Sequence, residues 1–449
     1  TGAATLVPMD EPPAHAWHIS PNGPLRGEVQ VSGSKNAVTK HMVAAMLGTQ
    51  PSTITNAPDV GDVGITADIL TSLGVGVGID GDRITIDPVD TPGADVPLEF
   101  TGLNRIPILL LGPLLARNHE AFVPLVGGDR IGRRPVNFHM DALEAMGVEI
   151  SMSPDGISAR ADHLRGAQIT LPYPSVGATE SVLLTAVLAE GRTVLRNAAL
   201  EPEVTELALF LQRMGARIGF KPDRRIIIEG VDRLRGATAR LQGDRLEAFS
   251  YLVAGLMTGG QVRVGGCVQD RLVTAIDTLQ KMGARFEITD DYISAYAEGG
   301  LRPVAVQTST HPGFMTDWQP PLIVLMTQAD GMSVIHETVY EDRLGYVREL
   351  TTMGAEVELF DTCLGGPACR FHDTTALHSA VVRGVSKLRG AEVTIPDVRA
   401  GFSSVIAAAV ADGPSTLHGI HHLERGYNRP FETLSSLGLM LERVPSGRP

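Results

Sequence analysis

An α/β protein of two domains, assembled from six repeated helix-and-strand units, is the fold that three features of the sequence predict. The chain has 449 residues, more than one ordinary hydrophobic core absorbs, so two or three domains are expected and two is the simpler arrangement. A phrase Leu-x-x-(Met or Leu)-Gly recurs, closing at Gly74, Gly147, Gly215, Gly283, Gly354 and Gly438. A second phrase, Leu-Arg-Gly, begins at Leu25, Leu164, Leu234 and Leu388, and Leu301-Arg302-Pro303 is a degraded copy.

Successive copies lie about 70 residues apart. That is too long for a solenoid repeat and too short for an independent domain, so each copy marks one supersecondary unit. In the first phrase the Leu and Met fall on one helical face, and Gly takes the left-handed position that ends the helix. The alternating residues that follow, such as Ala284-Arg285-Phe286-Glu287-Ile288, read as a half-buried strand. Each Leu-Arg-Gly segment opens a strand that runs into a polar turn and then an apolar helix. The six turns are Ser34-Lys35-Asn36, Gly102-Leu103-Asn104-Arg105, Ser175-Val176-Gly177, Gly243-Asp244-Arg245, Thr316-Asp317 and Asp397-Val398-Arg399. They present equivalent helix N-termini, whose unpaired amides and partial positive charge attract anions. Lys35, Arg105, Arg245 and Arg399 add full charge at those positions. The helix after Asn36 places Val38, Met42, Ala45 and Met46 on one core-facing side, and His139, spaced with Ala142, Leu143 and Met146, reads as a core histidine.

Composition excludes several classes. With 43% hydrophobic and 20% charged residues, 49 Gly and 29 Pro, the chain is a folded protein of short elements joined by tight turns. A formal charge of -13 opposes general attraction to nucleic acid or an anionic membrane, so an anionic substrate has to be held by a local basic cluster. The three cysteines, Cys267, Cys363 and Cys369, lack the pair-of-pairs spacing of a zinc motif and suit a reducing compartment. Cys363 and Cys369 are expected to be ordinary thiols, with pairing or metal binding as the alternatives. Residues 1–24 carry no apolar run, and no stretch is long and apolar enough to span a bilayer, so a cytoplasmic enzyme is expected.

Six ordered segments resemble the enolpyruvyl transferase family: residues 27–36 (GEVQVSGSKN), 133–139 (RRPVNFH), 174–179 (PSVGAT), 201–203 (EPE), 311–317 (HPGFMTD) and 425–427 (RGY). The resemblance runs from about Gly23 to Glu442. It implies a two-domain inside-out α/β barrel, three units per domain, with helices inside, sheets outside and the active site between the domains. The chain would cross twice, so that 1–34 joins 243–449 in one domain and 35–242 form the other. The shikimate branch of the family is disfavoured, because neither its Gly-Asn-Ala-Gly-Thr phrase nor its Lys-Glu-Ser-Asp-Arg segment is present. The implied reaction moves the enolpyruvyl group of phosphoenolpyruvate onto the 3'-hydroxyl of UDP-N-acetylglucosamine and releases phosphate, a step of peptidoglycan precursor synthesis. It needs no redox cofactor and no metal. Another uridine nucleotide such as UMP as acceptor, or a non-catalytic paralogue that binds a sugar nucleotide, stays open.

The same resemblance assigns residues. Lys35, Asn36, Arg105, Arg134, Arg399 and Arg425 would clamp phosphoenolpyruvate, since guanidinium forks suit phosphate and carboxylate oxygens. Asp317 would be the base for the sugar hydroxyl, with Lys35 also catalytic. Its alternative is an ordinary helix cap. Asp129 sits in the glycine-rich loop 127–135, expected to be mobile, where most of the family carries cysteine, and would serve as general acid or assist product release, with a loop aspartate paired with Arg130 or Arg133 as the alternative. The antibiotic fosfomycin alkylates that cysteine, and a carboxylate is a poorer nucleophile, so insensitivity is expected. Arg134, Pro135, Val136, Asn137, Ser175, Val176, Gly177, Asp317 and Val339 would hold the sugar nucleotide, although Asn137 stands for a common aspartate and Tyr173 for a basic residue. The stretch from Phe360 to His378 is longer than in the commonest relatives and has no assigned role.

Overall fold

A computed structural model of the protein describes residues 15–446 apart from 130, 133, 367 and 368. Most of the opening stretch used to judge localisation, Arg130, and Arg133 of the second family segment therefore lie outside the described residues. The described residues form two hydrophobic cores. One draws on positions from Ala37 to Leu241, the other on Trp17 to Val31 together with Leu246 to Leu441.

Each core is wrapped by three sheets. Around the first are strands Thr238–Arg240, Ser52–Thr55, Arg83–Asp87 and Gly76–Asp80 in that order, then Glu120–Pro124, Gly156–Arg160 and Glu149–Met152, then Arg217–Lys221, Arg225–Glu229, Arg192–Arg196 and Gln168–Thr170. The second core has three four-stranded sheets, led by Arg26–Gln30, Ala305–Gln307 and Glu392–Thr394 at their edges. These edge strands are the ones opened by the Leu-Arg-Gly phrase, and each pairs in parallel with its neighbour, as in Gln261 opposite Arg26 and Glu392 opposite Thr416. One unit of the first lobe lacks the phrase, and its sheet has three strands, with only an isolated bridge between Asp95 and Phe122 in place of the fourth.

The central helices are Lys35–Ala45, Pro107–Asn118 and Val176–Ala186 in one lobe, and Arg245–Met257, Gln319–Met326 and Val398–Val410 in the other. They differ from the expectation of a single buried face. Every residue of Arg245–Met257 and of Gln319–Met326 is buried, and in Lys35–Ala45 burial extends to Thr39, His41, Val43 and Ala44. The sheets cover them on all sides, which gives the inside-out arrangement. All six glycines of the first phrase have positive φ, between 85° and 112°, as the left-handed helix ending requires. The predicted strand Ala284–Ile288 forms with those bounds.

The two connections between lobes run side by side, with Gly33 bridged to Gly243 in antiparallel fashion. Glycine is required at both places, since a Cβ on Gly33 would lie 2.3 Å from the Asn56 carbonyl oxygen and one on Gly243 2.0 Å from that of Gly266.

Candidate active site

The inner helices begin near the crossing, and the two lobes end them differently. In the lobe of the first core the caps are neutral. Ser34 Oγ accepts from the Asn36 amide, Asn104 Oδ1 from the Ile106 amide, and Ser175 Oγ from the Ala178 amide. In the other lobe Asp244 caps Leu246 and Glu247, and Asp397 caps Arg399 and Ala400. Asp317 caps nothing and instead receives Arg343 Nη2 at 3.1 Å.

The cations meet across this junction. Lys35 opens its helix, and its Nζ lies 2.9 Å from Asp62 Oδ2, while Arg425 Nη2 from the other lobe lies 2.9 Å from Asp62 Oδ1 and donates to the Leu103 carbonyl at 3.0 Å. Burial alone would raise the Asp62 carboxyl, but Lys35 and Arg425 outweigh it and hold the group below its ordinary value. The Lys35 amide also donates to Asp244 Oδ2 at 3.2 Å. Asp244 in turn faces Arg399, which is 5% exposed and lies 5.1 Å over the Tyr427 ring. Against the burial that disfavours its charge, Tyr427, Asp244 and Asp317 keep Arg399 firmly protonated. Its Nη1 is nevertheless buried without a hydrogen-bond partner. An orphaned buried donor costs about 1–3 kcal/mol, which a ligand acceptor would recover.

A second cavity of about 440 Å³ is lined by Arg105, Asp129 and Arg134 from one lobe and by Glu341 and Asp342 from the other. Burial, and then the neighbouring Arg134, bring Arg105 down to about 10. Arg134 has φ of 44° and its guanidinium lies 5.6 Å from the Tyr340 ring centre, so this loop already reaches the opposite lobe. Burial first, and His421 second, lower the His422 imidazole against the opposing charge of Asp129. A larger cavity, about 760 Å³, shares only Arg425 with the cationic set.

For the nucleotide set, Ser175, Val176 and Gly177 form the start of Val176–Ala186, while Val136 precedes Asn137–Ala145, with Pro135 and Asn137 exposed. The Val339 amide is held by Glu337 Oε1 at 2.7 Å, and its carbonyl accepts from Arg370 Nη1 at 3.1 Å. Arg370 also lies 4.2 Å over the Tyr173 ring, placing a cation where the sequence had shown one missing. Asn36 lies half-buried beside Lys35.

One expected member drops out. Arg245 is 2% exposed and doubly bonded to Glu203, with both contacts at 2.9 Å, so its charge is spent within the fold and is not offered to an anion. His139 is the core histidine expected, bonded to Ser181 Oγ at 2.7 Å. Sequence reasoning missed Asp62, Arg343 and Arg370. Arg343 is the most consequential, since it joins Asp317 to Asp397, and nothing in its local sequence distinguishes it.

Two inside-out α/β lobes that bring Lys35, Arg399 and Arg425 together at their junction have the architecture of an enolpyruvyl transferase. The chain belongs to that family: the profile of EPSP synthase (3-phosphoshikimate 1-carboxyvinyltransferase) matches residues 19–434. It is 45% identical to the UDP-N-acetylglucosamine 1-carboxyvinyltransferase of Chlamydia pneumoniae, over 94% of this chain and 93% of that one. Among solved structures it resembles the enolpyruvyl transferase NikO from Streptomyces tendae, with TM-score 0.85, 26% identity and coverage of 97% and 100% of the two chains. It shares the fold of EPSP synthase from Acinetobacter baumannii, with TM-score 0.74, 20% identity and coverage of 96% and 100%.

Proposed function

We propose that this chain is a cytoplasmic enzyme that transfers the enolpyruvyl group of phosphoenolpyruvate to the 3'-hydroxyl of UDP-N-acetylglucosamine and releases phosphate. The lobes that carry out the reaction are residues 35–242 and residues 1–34 with 243–449. The observation that carries the reading is Arg399, a buried charged guanidinium whose Nη1 has no partner, linked through Asp244 to Lys35 of the opposite lobe. Such a group is suited to a phosphate or carboxylate oxygen.

Lys35, Asn36, Arg105, Arg134, Arg399 and Arg425 bind phosphoenolpyruvate through its phosphate and carboxylate oxygens and stabilise the negative charge that leaves with the phosphate. Asp129, on the loop that lines the smaller cavity, supplies that proton, and Asp317, oriented by Arg343, accepts the proton of the sugar hydroxyl. Arg134, Pro135, Val136, Asn137, Ser175, Val176, Gly177 and Val339 contact the nucleotide. The 45% identity to a relative named for this acceptor supports it over other uridine nucleotides. Phosphate release measured with phosphoenolpyruvate and either UDP-N-acetylglucosamine or UMP tests the choice. Turnover with UMP alone would move the assignment to the second acceptor, and turnover with neither would leave a binding protein.

A further inference from the structure

The long connection that leads to His378 does something the sequence did not disclose. His336 ends the strand Gly331–His336, and His378 immediately precedes Ser379–Gly384, the strand paired with it, so that His336 faces Ser379. Between them the connection folds back and brings both of its cysteines to these histidines. One ligand atom from each of His336, Cys363, Cys369 and His378 lies within 4.8 Å of the others. His336 Nε2 is 3.6 Å from Cys363 Sγ and 3.7 Å from Cys369 Sγ. A tetrahedral zinc ion with bonds of about 2.3 Å to sulfur and about 2.05 Å to nitrogen requires sulfur-to-nitrogen edges of about 3.6 Å.

The surroundings of the four atoms match the needs of a metal. His336 Nδ1 lies 3.1 Å from Gln307 Oε1, and His378 Nδ1 lies 2.7 Å from the Ala376 carbonyl oxygen. Each acceptor fixes a proton on Nδ1 and turns the Nε2 lone pair inward, as outer partners of metal-bound imidazole do. His378 Nε2 is buried with no hydrogen-bond partner, and His378 itself is fully buried. The Phe371 amide approaches Cys369 Sγ at 3.5 Å, a contact that supports a thiolate. Gly365 is needed for the tight turn, because a Cβ there would lie 2.6 Å from His336 Cε1.

We infer that His336, Cys363, Cys369 and His378 form a tetrahedral Cys2His2 site for a thiophilic divalent cation, zinc by preference, that locks Cys363 and Cys369 onto the ends of two strands. This replaces the expectation of ordinary thiols. The wide gap between histidine and cysteine hid the motif, since two of the four ligands come from strand ends. Binding converts the two thiols to thiolates and releases their protons to solvent, with no change of oxidation state. With four protein ligands the site is closed, so its role is structural and distinct from the transfer reaction. What it holds in place is Arg370, next to Cys369, which reaches the Val339 carbonyl and the Tyr173 ring at the nucleotide side of the cleft.

The test uses the full chain purified under reductant. Elemental analysis is expected to find about one zinc per chain, falling below about a tenth in the Cys363→Ser/Cys369→Ser variant. Chelated protein titrated with Co(II) is expected to show the intense visible bands of a tetrahedral site together with thiolate-to-cobalt charge transfer. The cobalt spectrum of the unaltered chain decides the matter even if the double variant fails to fold. Weak octahedral cobalt absorption, metal retained by the double variant, or a Cys363–Cys369 disulfide in reduced, metal-free protein would each overturn the site. None of these readouts depends on which acceptor the enzyme uses.

Discussion

The two lobes share one architecture and differ in what they place at their helix ends. One starts its inner helices with Ser34, Asn104 and Ser175, uncharged caps, and at the first of these starts the Lys35 amide reaches across to Asp244 of the other lobe. The other uses Asp244 and Asp397 and buries arginines against them and against Asp317. Repetition thus supplied six similar sockets, and their polar residues divided the work. On the proposed reading the neutral lobe would receive the substrate's charge, while the acidic lobe already holds charged groups in fixed places. Glu247 marks how crowded with carboxylates the second lobe is, because burial first and Asp244 second push it up to about 8.

The largest effect should come from the acidic lobe. Arg399→Met removes the orphaned donor and the charge together, and kcat/KM for phosphoenolpyruvate should fall by about 10³-fold, roughly 4 kcal/mol, in phosphate-release assays. A loss under tenfold would break the division between lobes, since Arg399 would then be a structural cation. Next is the contact that joins the lobes. Asp62→Asn leaves Lys35 and Arg425 without their shared carboxylate and should lower unfolding free energy by about 3 kcal/mol in urea titration. The sign of its pH dependence follows from a folded value lying below the ordinary one: the stabilisation is complete above the usual carboxylate range and disappears as pH falls through the lowered value.

A smaller effect belongs to the neutral lobe. Burial, first among the causes, lowers His41 from 6.5 to about 4 and His139 from 6.5 to about 3. On acidification the unfolded chain takes these protons before the folded one does, so stability falls as pH drops from 6.5. At pH 5 each should cost about 2 kcal/mol, and His139→Gln should flatten the slope of the urea midpoint against pH. The smallest effect concerns Asp129, whose loop links the lobes. Asp129→Asn should slow turnover about tenfold. Asp129→Cys should retain turnover and gain time-dependent inactivation by fosfomycin that the unaltered chain does not show. Inactivation of the unaltered chain with an adduct on this loop would refute the proposed chemistry.

Local physics made much of this legible. A helix that ends in glycine and a strand opened by Leu-Arg-Gly are short-range signals, so the units, the strand Ala284–Ile288 and the six helix starts could be read one at a time. Even the missing edge strand of one unit matches a missing phrase. The family segments pointed to Lys35, Arg134 and Arg425, which lie within them, and the repeated turn Asp397-Val398-Arg399 pointed to Arg399.

By itself, then, the sequence determined the number of units, the glycine that closes one helix in each, the strand Ala284–Ile288 and the residue types at each inner helix start. Only the tertiary structure decided which charges satisfy one another. Arg245 looked equivalent to Lys35 until Glu203 was found against it, and Asp62, some 360 residues from Arg425, had no signal that could join the two. The same holds for His336 and His378, made neighbours by antiparallel pairing of their strands. Pairing of charges and ligands depends on distance in space, and spacing along the chain reports that distance only within a single element.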